Sequence, residues 1–179
     1  MLEDRNDDEL MARAAGGDRA AFDQIVRRHQ HHLQRFASRM LGGDTDRGAD
    51  IAVGAFLRLW DYRFEYRACG LLSAWLSRTA YRLCIDSLRT QRCQELSDAE
   101  FETAASEVIE ERELAQAVRE AVGSLPEALR AVLILSVYEE MSYEQISQVL
   151  DIPIGTVGSR RSQAIAVLRR RLSAWKEDQ

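Results

Sequence analysis

Residues 142–172 constrain this chain more than any other stretch, because a capping signature and a proline confine helix to two pieces with a tight turn between them. Ser142 with Gln145 three residues later has the pattern of a capping box, so a helix is predicted to start there. Ile146, Val149 and Leu150 give it one apolar face. Pro153 has no N–H to donate and disfavours helix at Ile152, so the first helix must stop before it. Beyond Gly155 helical spacing resumes, with Val157, Ala164, Leu168 and Leu172 on one side. Two helices across a tight turn make a helix-turn-helix, whose second helix fits a DNA major groove. That helix carries Arg160, Arg161, Arg169, Arg170 and Arg171, a charge suited to phosphate contact and base readout. The same arginines would equally solvate a plain helical hairpin. The rest of the chain has to decide.

Net charge at first argues against nucleic acid, since it is −5 over 179 residues. Its distribution argues otherwise. Residues 1–95 carry 15 basic and 14 acidic side chains, residues 96–150 carry 3 and 12, and residues 151–179 carry 6 and 3. Acidity is therefore concentrated in the middle while the second helix of the motif is basic, a patchwork that suits one nucleic-acid partner and at least one protein partner. Two prolines and 46% hydrophobic residues at regular helical spacing predict an all-α fold. Cys69, Cys84 and Cys93 form no C-x-x-C pair and are odd in number, which reads as reduced thiols. With His29, His31 and His32 they match no standard zinc spacing, so no metal or other cofactor is expected. No signal peptide and no apolar run of about 18 residues is present, so a cytoplasmic protein without membrane insertion is expected.

Taken in order, Asp7-Asp8-Glu9 opens a short helix with acids in the first turn, and Gly16-Gly17-Asp18 ends it. Phe22, Ile25, Val26, Leu33, Phe36, Ala37 and Met40 define a long amphipathic helix closed by Gly42-Gly43. A third helix is predicted over about 46–60, burying Ile51, Val53, Phe56, Leu57 and Trp60 in some combination. It leads into Trp60-Asp-Tyr-Arg-Phe-Glu-Tyr-Arg67, where aromatic and charged residues alternate. A lone strand would have nothing to pair with, so this is read as a loop offering Tyr62, Phe64 and Tyr66 as stacking platforms beside Arg63 and Arg67. Aromatics at a helix junction also serve as core plugs, and Trp60 is assigned to the core. Ser73 is expected to cap the next helix, which puts Arg78, Tyr81, Arg82, Arg89 and Arg92 on a basic outer face. From Gln94 to Glu113 eight acids accompany one arginine, the composition of a linker. A helix over about 107–122 comes next, then a second capping box at Ser124-Leu-Pro-Glu127. The domains expected are thus 1–93, an acidic linker 94–106, and 107–179.

This order of motifs resembles that of an extracytoplasmic-function (ECF) sigma factor, the minimal branch of the sigma-70 family with regions 2 and 4 only. The resemblance rests on Asp8-Glu-Leu-Met-Ala-Arg-Ala-Ala-Gly-Gly-Asp18 with Ala21-Phe22, on Phe56-Leu-Arg-Leu-Trp60, and on Ala74-Trp-Leu76 through Asp86 and Leu88-Arg89. It continues through Leu125-Pro-Glu127, Met141-Ser-Tyr-Glu144 with Ile146, Ile152-Pro-Ile-Gly-Thr-Val157 and Ser159-Arg160. It implies a protein that binds core RNA polymerase and directs it to promoters, held in check by an anti-sigma factor, with no small-molecule substrate and no enzymatic activity. Region 4 would read the −35 element through Thr156, Ser159, Arg160, Ser162 and Gln163. Region 2 would capture the unpaired −10 strand with Arg63, Phe64, Tyr66, Arg67, Arg78, Tyr81 and Arg82, and grip polymerase with Asp50, Phe56, Leu57 and Trp60. Two modest basic surfaces on one tether gain avidity when one polymerase presents both DNA sites.

The chain departs from the family pattern in two places. Before Phe56 only Asp50 remains of the acidic-polar signature, the positions after it reading Ile-Ala-Val53-Gly54-Ala55. In the recognition helix Gly158 stands where lysine is usual and Arg161 where an apolar residue is usual. The weakened polymerase signature suits a sigma mimic that sequesters an anti-sigma factor. A helix-turn-helix regulator is the other alternative, and it leaves residues 1–93 unexplained and would expect a dimer on a palindromic operator.

Overall fold

A computed structural model describes residues 6–95 and 110–177, with side chains at 92–95, 110–113 and 174–177 outside the description. The expected linker 94–106 thus lies almost wholly outside the described residues, as does the Cys93 side chain. The described residues form helices α1 (Asp7–Ala15), α2 (Arg19–Met40), α3 (Thr45–Tyr62), α4 (Leu72–Glu95), α5 (Glu110–Gly123), α6 (Glu127–Leu133), α7 (Tyr143–Leu150) and α8 (Ile154–Glu177). A π-helical turn, Ile134–Tyr138, continues α6. The fold is all-α, as the periodicity predicts.

Short polar side chains start the first three helices. Asn6 accepts from the Glu9 amide at 2.8 Å, Asp18 from Ala21 at 3.2 Å and Asp44 from Arg47 at 3.0 Å, each satisfying an amide that the helix itself cannot. Asp18 also takes an ion pair from Arg13 across the Gly16–Gly17 turn, where Gly17 has φ +93°. Two expected caps fail. α4 begins at Leu72, so Ser73 lies within its first turn. At α6 Pro126 takes the cap position with no side-chain hydrogen bond; the Ser124 hydroxyl, two residues before it, donates to the Ala121 carbonyl at 2.7 Å and accepts from Arg171.

α1 to α4 pack around Leu10, Ile25, Phe36, Leu59 and Leu76, all fully buried. The helix pair α2/α3 closes over Gly48, which lies against Ser38 and is buried between them. The turn after α2 uses Gly42 and Gly43, both at positive φ. The same apolar core runs on without a break through Ala131, Ile134, Leu135, Ile146 and Val157, so the second half of the chain is seated on the first. A smaller cluster of Val122, Leu125, Leu133 and Ala164 ties α5 and α6 to α8.

Polar contacts reinforce that seat. Arg130 in α6 reaches the Met40 carbonyl at the end of α2 at 2.5 Å and the Leu125 carbonyl at 3.0 Å, and donates also to the Gly123 carbonyl. Glu139, just past the π turn, has a side chain only 3% exposed; His32 Nδ1 lies 2.6 Å and Arg39 Nη1 3.3 Å from its oxygens. The Arg39 guanidinium sits 4.3 Å over the Tyr138 ring. The extra residue of a π turn rotates the chain beyond it, and here it brings Tyr138 and Glu139 to face α2. Cys84 is buried in α4, where desolvation pushes its thiol up to about 12 against the opposing charge of Arg47; it is a core residue in its protonated form.

Candidate nucleic-acid interface

α7, the turn and α8 make the helix-turn-helix. Both halves of the capping box form: the Ser142 hydroxyl accepts from the Gln145 amide at 3.3 Å, and the Gln145 side chain accepts from the Ser142 amide at 2.8 Å. Asp151 ends α7 in the left-handed conformation, φ +57° and ψ +49°, which an aspartate tolerates better than most residues. Ser147 Oγ holds the turn by donating to the Ile152 carbonyl at 2.6 Å, and α8 starts one residue after Pro153. Val157 and Ala164 fix its inner face. At 100° per residue Thr156, Ser159, Arg160 and Gln163 share one outer face and Ser162 lies at its edge. Ser159, Ser162 and Gln163 are exposed, while Thr156 and Arg160 are half-buried. An added Cβ at Gly158 would sit 3.6 Å from Tyr143, an ordinary contact, so packing does not impose the glycine there. Arg161 is half-buried on the side nearer the core.

The aromatic stretch of the first half divides between helix and loop, since α3 runs on to Tyr62. Trp60 packs edge-on to Phe22 with centroids 4.9 Å apart, and Tyr62 stacks on Trp75 at 5.4 Å. Arg63 is held between rings, 4.1 Å from the Trp60 centroid and 4.0 Å from that of Phe64, and donates to the Trp60 carbonyl at 2.5 Å. Phe64 is 68% exposed, and Arg67 and Arg82 are exposed as well. Tyr66 is half-buried and not free to swing. Its hydroxyl donates to Asp8 Oδ1 at 2.6 Å, while the Gly70 amide, at φ +69°, donates to Asp8 Oδ2 at 2.8 Å. A cleft of about 460 Å³ opens beside this loop, lined by Tyr62, Tyr66, Arg67, Trp75 and Arg78 and closed on its far side by Gln148 and Asp151 of the helix-turn-helix. Across it Arg78 Nη2 pairs with Asp151 at 2.8 Å.

Sequence reasoning left Asp8, Trp75, Gln148 and Asp151 out of this site. Trp75 had a signal, being an aromatic on the first turn of the helix after the loop. The other three are brought in by contacts distant in sequence.

Electrostatics track the hydrogen bonds. The Tyr66 hydroxyl and then the Gly70 amide hold the Asp8 carboxyl below its ordinary value of 3.8, while burial, and then Asp8 itself, drive the Tyr66 phenol well above its usual range. Burial also raises Tyr81, against the lowering effect of the Arg160 charge from α8, so residues expected at two different DNA elements lie near one another. For Asp8 the sign is that of a depressed acid: its contribution to loop order is complete above 3.8 and fades as pH falls through the still lower folded value. The Gly70 amide NMR resonance is therefore expected to stay constant from neutral pH down to about 4 and to move only below that. Titration of this resonance near neutrality would contradict the Asp8 anchor.

The expected polymerase-facing helix, α3, shows a mixed register. Asp50 and Leu57 are outward, Leu57 61% exposed, and Val53, one turn earlier, is 57% exposed beside it. Phe56 is buried, and Trp60 is half-buried edge-on to Phe22, where it lines a shallow surface cleft with Arg19, Phe22 and Asp23. Val53 was legible as the i−4 neighbour of Leu57. Gly54 is half-buried, with room for a Cβ 3.4 Å from Leu83.

Comparison with known proteins places family models on both halves. Residues 25–93 match sigma-70 region 2 and residues 115–168 match sigma-70 region 4. Among curated relatives, the ECF RNA polymerase sigma factor SigM of Mycobacterium tuberculosis is 31% identical over 169 residues, covering 94% of this chain and 86% of the relative. RNA polymerase sigma-H factor of Pseudomonas aeruginosa is 32% identical over 175 residues, covering 89% and 90%. Among solved structures, CnrH in complex with the cytosolic domain of CnrY superposes with a TM-score of 0.73 at 26% identity, covering 94% of this chain and 97% of that one.

Proposed function

The chain belongs to the extracytoplasmic-function sigma factors of the sigma-70 family, and on that premise we propose that it reads promoters with two separate surfaces while α3 docks on core RNA polymerase. Residues 1–93 act as the polymerase-binding and −10-binding domain, and residues 107–179 as the −35-binding domain. Its activity is recognition, with no bond made or broken by the chain itself. The observation that carries the −35 assignment is the polar face of α8, where Thr156, Ser159, Arg160 and Gln163 line up beside the buried apolar side of Val157 and Ala164. Arginine there suits guanine or phosphate, and serine or glutamine suits base edges. The −10 assignment is supported by the exposed ring of Phe64 next to Arg67 and the aromatic cleft behind them. Leu57 and Val53, with Asp50 a turn away, form the exposed apolar and acidic patch expected to meet polymerase.

An anti-sigma factor is the regulator we propose. CnrH, which superposes on this chain over 97% of its own length, was solved in complex with the cytosolic domain of CnrY. The site of action is the cytoplasm, where polymerase works. No helix among the described residues is long and apolar enough to cross a membrane. A stand-alone helix-turn-helix regulator would leave the region 2 match over residues 25–93 without a role.

Reconstituted transcription tests the proposal. With core polymerase and a template carrying candidate promoters, the protein is expected to yield a specific transcript. Arg160→Ala is expected to lower −35 duplex binding roughly tenfold, from the loss of one charged contact to DNA. Combined alanines at Arg63, Phe64 and Arg67 are expected to abolish opening of the −10 region while leaving −35 binding intact. Leu57→Glu should weaken co-elution with core polymerase without loss of helicity, because the side chain is already in solvent. Co-elution unchanged by Leu57→Glu, or a transcript unchanged by the loop alanines, would remove the corresponding surface.

A further inference from the structure

We propose that Asp8, in the first turn of α1, is a positioning residue for promoter opening, holding the loop that receives the unpaired −10 strand. The inference rests on the −10 assignment above and assigns to α1 a part in DNA recognition.

One carboxylate commits both oxygens to the loop, and at two points four residues apart. Oδ1 accepts from the Tyr66 hydroxyl at 2.6 Å and Oδ2 from the Gly70 amide at 2.8 Å. Tyr66 and Gly70 bracket Arg67 and Cys69, so the carboxylate closes the loop from behind and leaves the Arg67 side facing outward. The loop has few other means of holding this shape. Its backbone–backbone bonds among the described residues are local ones at its start, from Arg63 to the Trp60 carbonyl and from Glu65 and Tyr66 to the Tyr62 carbonyl; the Cys69 amide also bonds Asp8, and Gly70 sits in the left-handed region that favours glycine. Charge-assisted bonds of this kind are the stronger ones. Asp8 is itself fixed by the helix that carries it: Asn6 caps α1, and the neighbouring Asp7 pairs with Arg28 at 2.6 Å and His29 at 2.8 Å on α2. An acid close to a DNA-binding loop would repel phosphate if left bare. Here its charge is met by the Tyr66 hydroxyl and the Gly70 amide. Tyr66, which Asp8 holds, forms one wall of that cleft with Tyr62 and Trp75. The path from α1 to the DNA strand is thus one hydrogen bond and one ring.

The test uses the full chain with core polymerase on a promoter template carrying 2-aminopurine in the −10 element, scored by fluorescence on opening. Asp8→Ala is expected to slow opening roughly tenfold, the loss for bonds to a charged acceptor, while core co-elution and −35 duplex binding stay unchanged. Asp8→Asn should recover most of the rate, since its carbonyl can accept from Gly70 and its amide can donate to the tyrosine oxygen. Tyr66→Phe should slow opening by a smaller factor and add nothing on top of Asp8→Ala, because Asp8→Ala already removes the Tyr66 contact along with that of Gly70. Normal opening by Asp8→Ala, with opening lost in the Arg63/Phe64/Arg67 alanine variant, would overturn the positioning role and leave the −10 assignment standing. Normal opening in the loop variant would overturn both. Equal losses of opening, core co-elution and −35 binding in Asp8→Ala would reduce Asp8 to a structural residue. Should Asp8→Ala fail to fold, unchanged opening in Tyr66→Phe overturns the inference by itself.

Discussion

Arg130→Met is expected to lower the stability of the protein by about 3–5 kcal/mol. Methionine matches the length and apolar stem of arginine, so packing is largely kept and the loss falls on hydrogen bonds. The Met40, Gly123 and Leu125 carbonyls receive donors from this one guanidinium, and each buried acceptor left without a partner costs about 1–3 kcal/mol. Water can replace only part of this, because Arg130 is 8% exposed. Met40 ends α2 and Arg130 lies early in the second half of the chain, so both halves should lose stability together. Guanidinium denaturation monitored by circular dichroism reads this as a fall in midpoint; a midpoint within error of the parent would mean that the carbonyls find other donors.

Gly48→Ala is expected to cost roughly 3 kcal/mol, at the upper end of what overpacking does. Elsewhere in a helix this substitution would gain up to about 1 kcal/mol in propensity, and that gain is included in the net figure. The new methyl would overlap the Ser38 hydroxyl, lie 2.8 Å from the Ser38 backbone nitrogen and 3.0 Å from the Gln34 carbonyl. The hydroxyl is fixed by its bond to Gln34 at 2.8 Å, and the backbone cannot rotate away. α2 and α3 must separate along their contact. Adding Ser38→Ala should restore only part of the loss, since the backbone nitrogen remains. A neutral thermal midpoint for Gly48→Ala would show that the two helices slide past one another at little cost.

Residues whose partners lie within a turn or two were legible in the sequence. The Ser142–Gln145 box, the Pro153 break and the inner face of α8 come from local rules, and the structure has all three. Ser124 and Ser73 were misjudged for a local reason too. A serine near a helix start has several partners in reach, and the Ser124 oxygen accepts from Arg171 while its hydrogen goes to Ala121. The aromatic loop was legible in its composition and not in its shape. Phe64 and Arg67 point outward as expected, but Arg63 is sandwiched and Tyr66 anchored by an aspartate 58 residues earlier. No periodicity announces such a pair. The Arg78–Asp151 and Arg130–Met40 contacts, 73 and 90 residues apart, are hidden for the same reason. The π turn that aims Glu139 at α2 is likewise invisible to helical spacing, which assumes an unbroken 3.6-residue period.

The core shared by the two halves, with Glu139 set between His32 and Arg39, is a contact that any partner needing the halves apart would have to break. Such a partner would bind with its affinity lowered by the cost of parting them, while a partner that clasps them together would meet no such cost. Linkage makes the two effects reciprocal: a change at Glu139 that raises the parted fraction strengthens the first kind of partner and weakens the second. A substitution at this one buried carboxylate would thus act on partner binding through the seat between the halves.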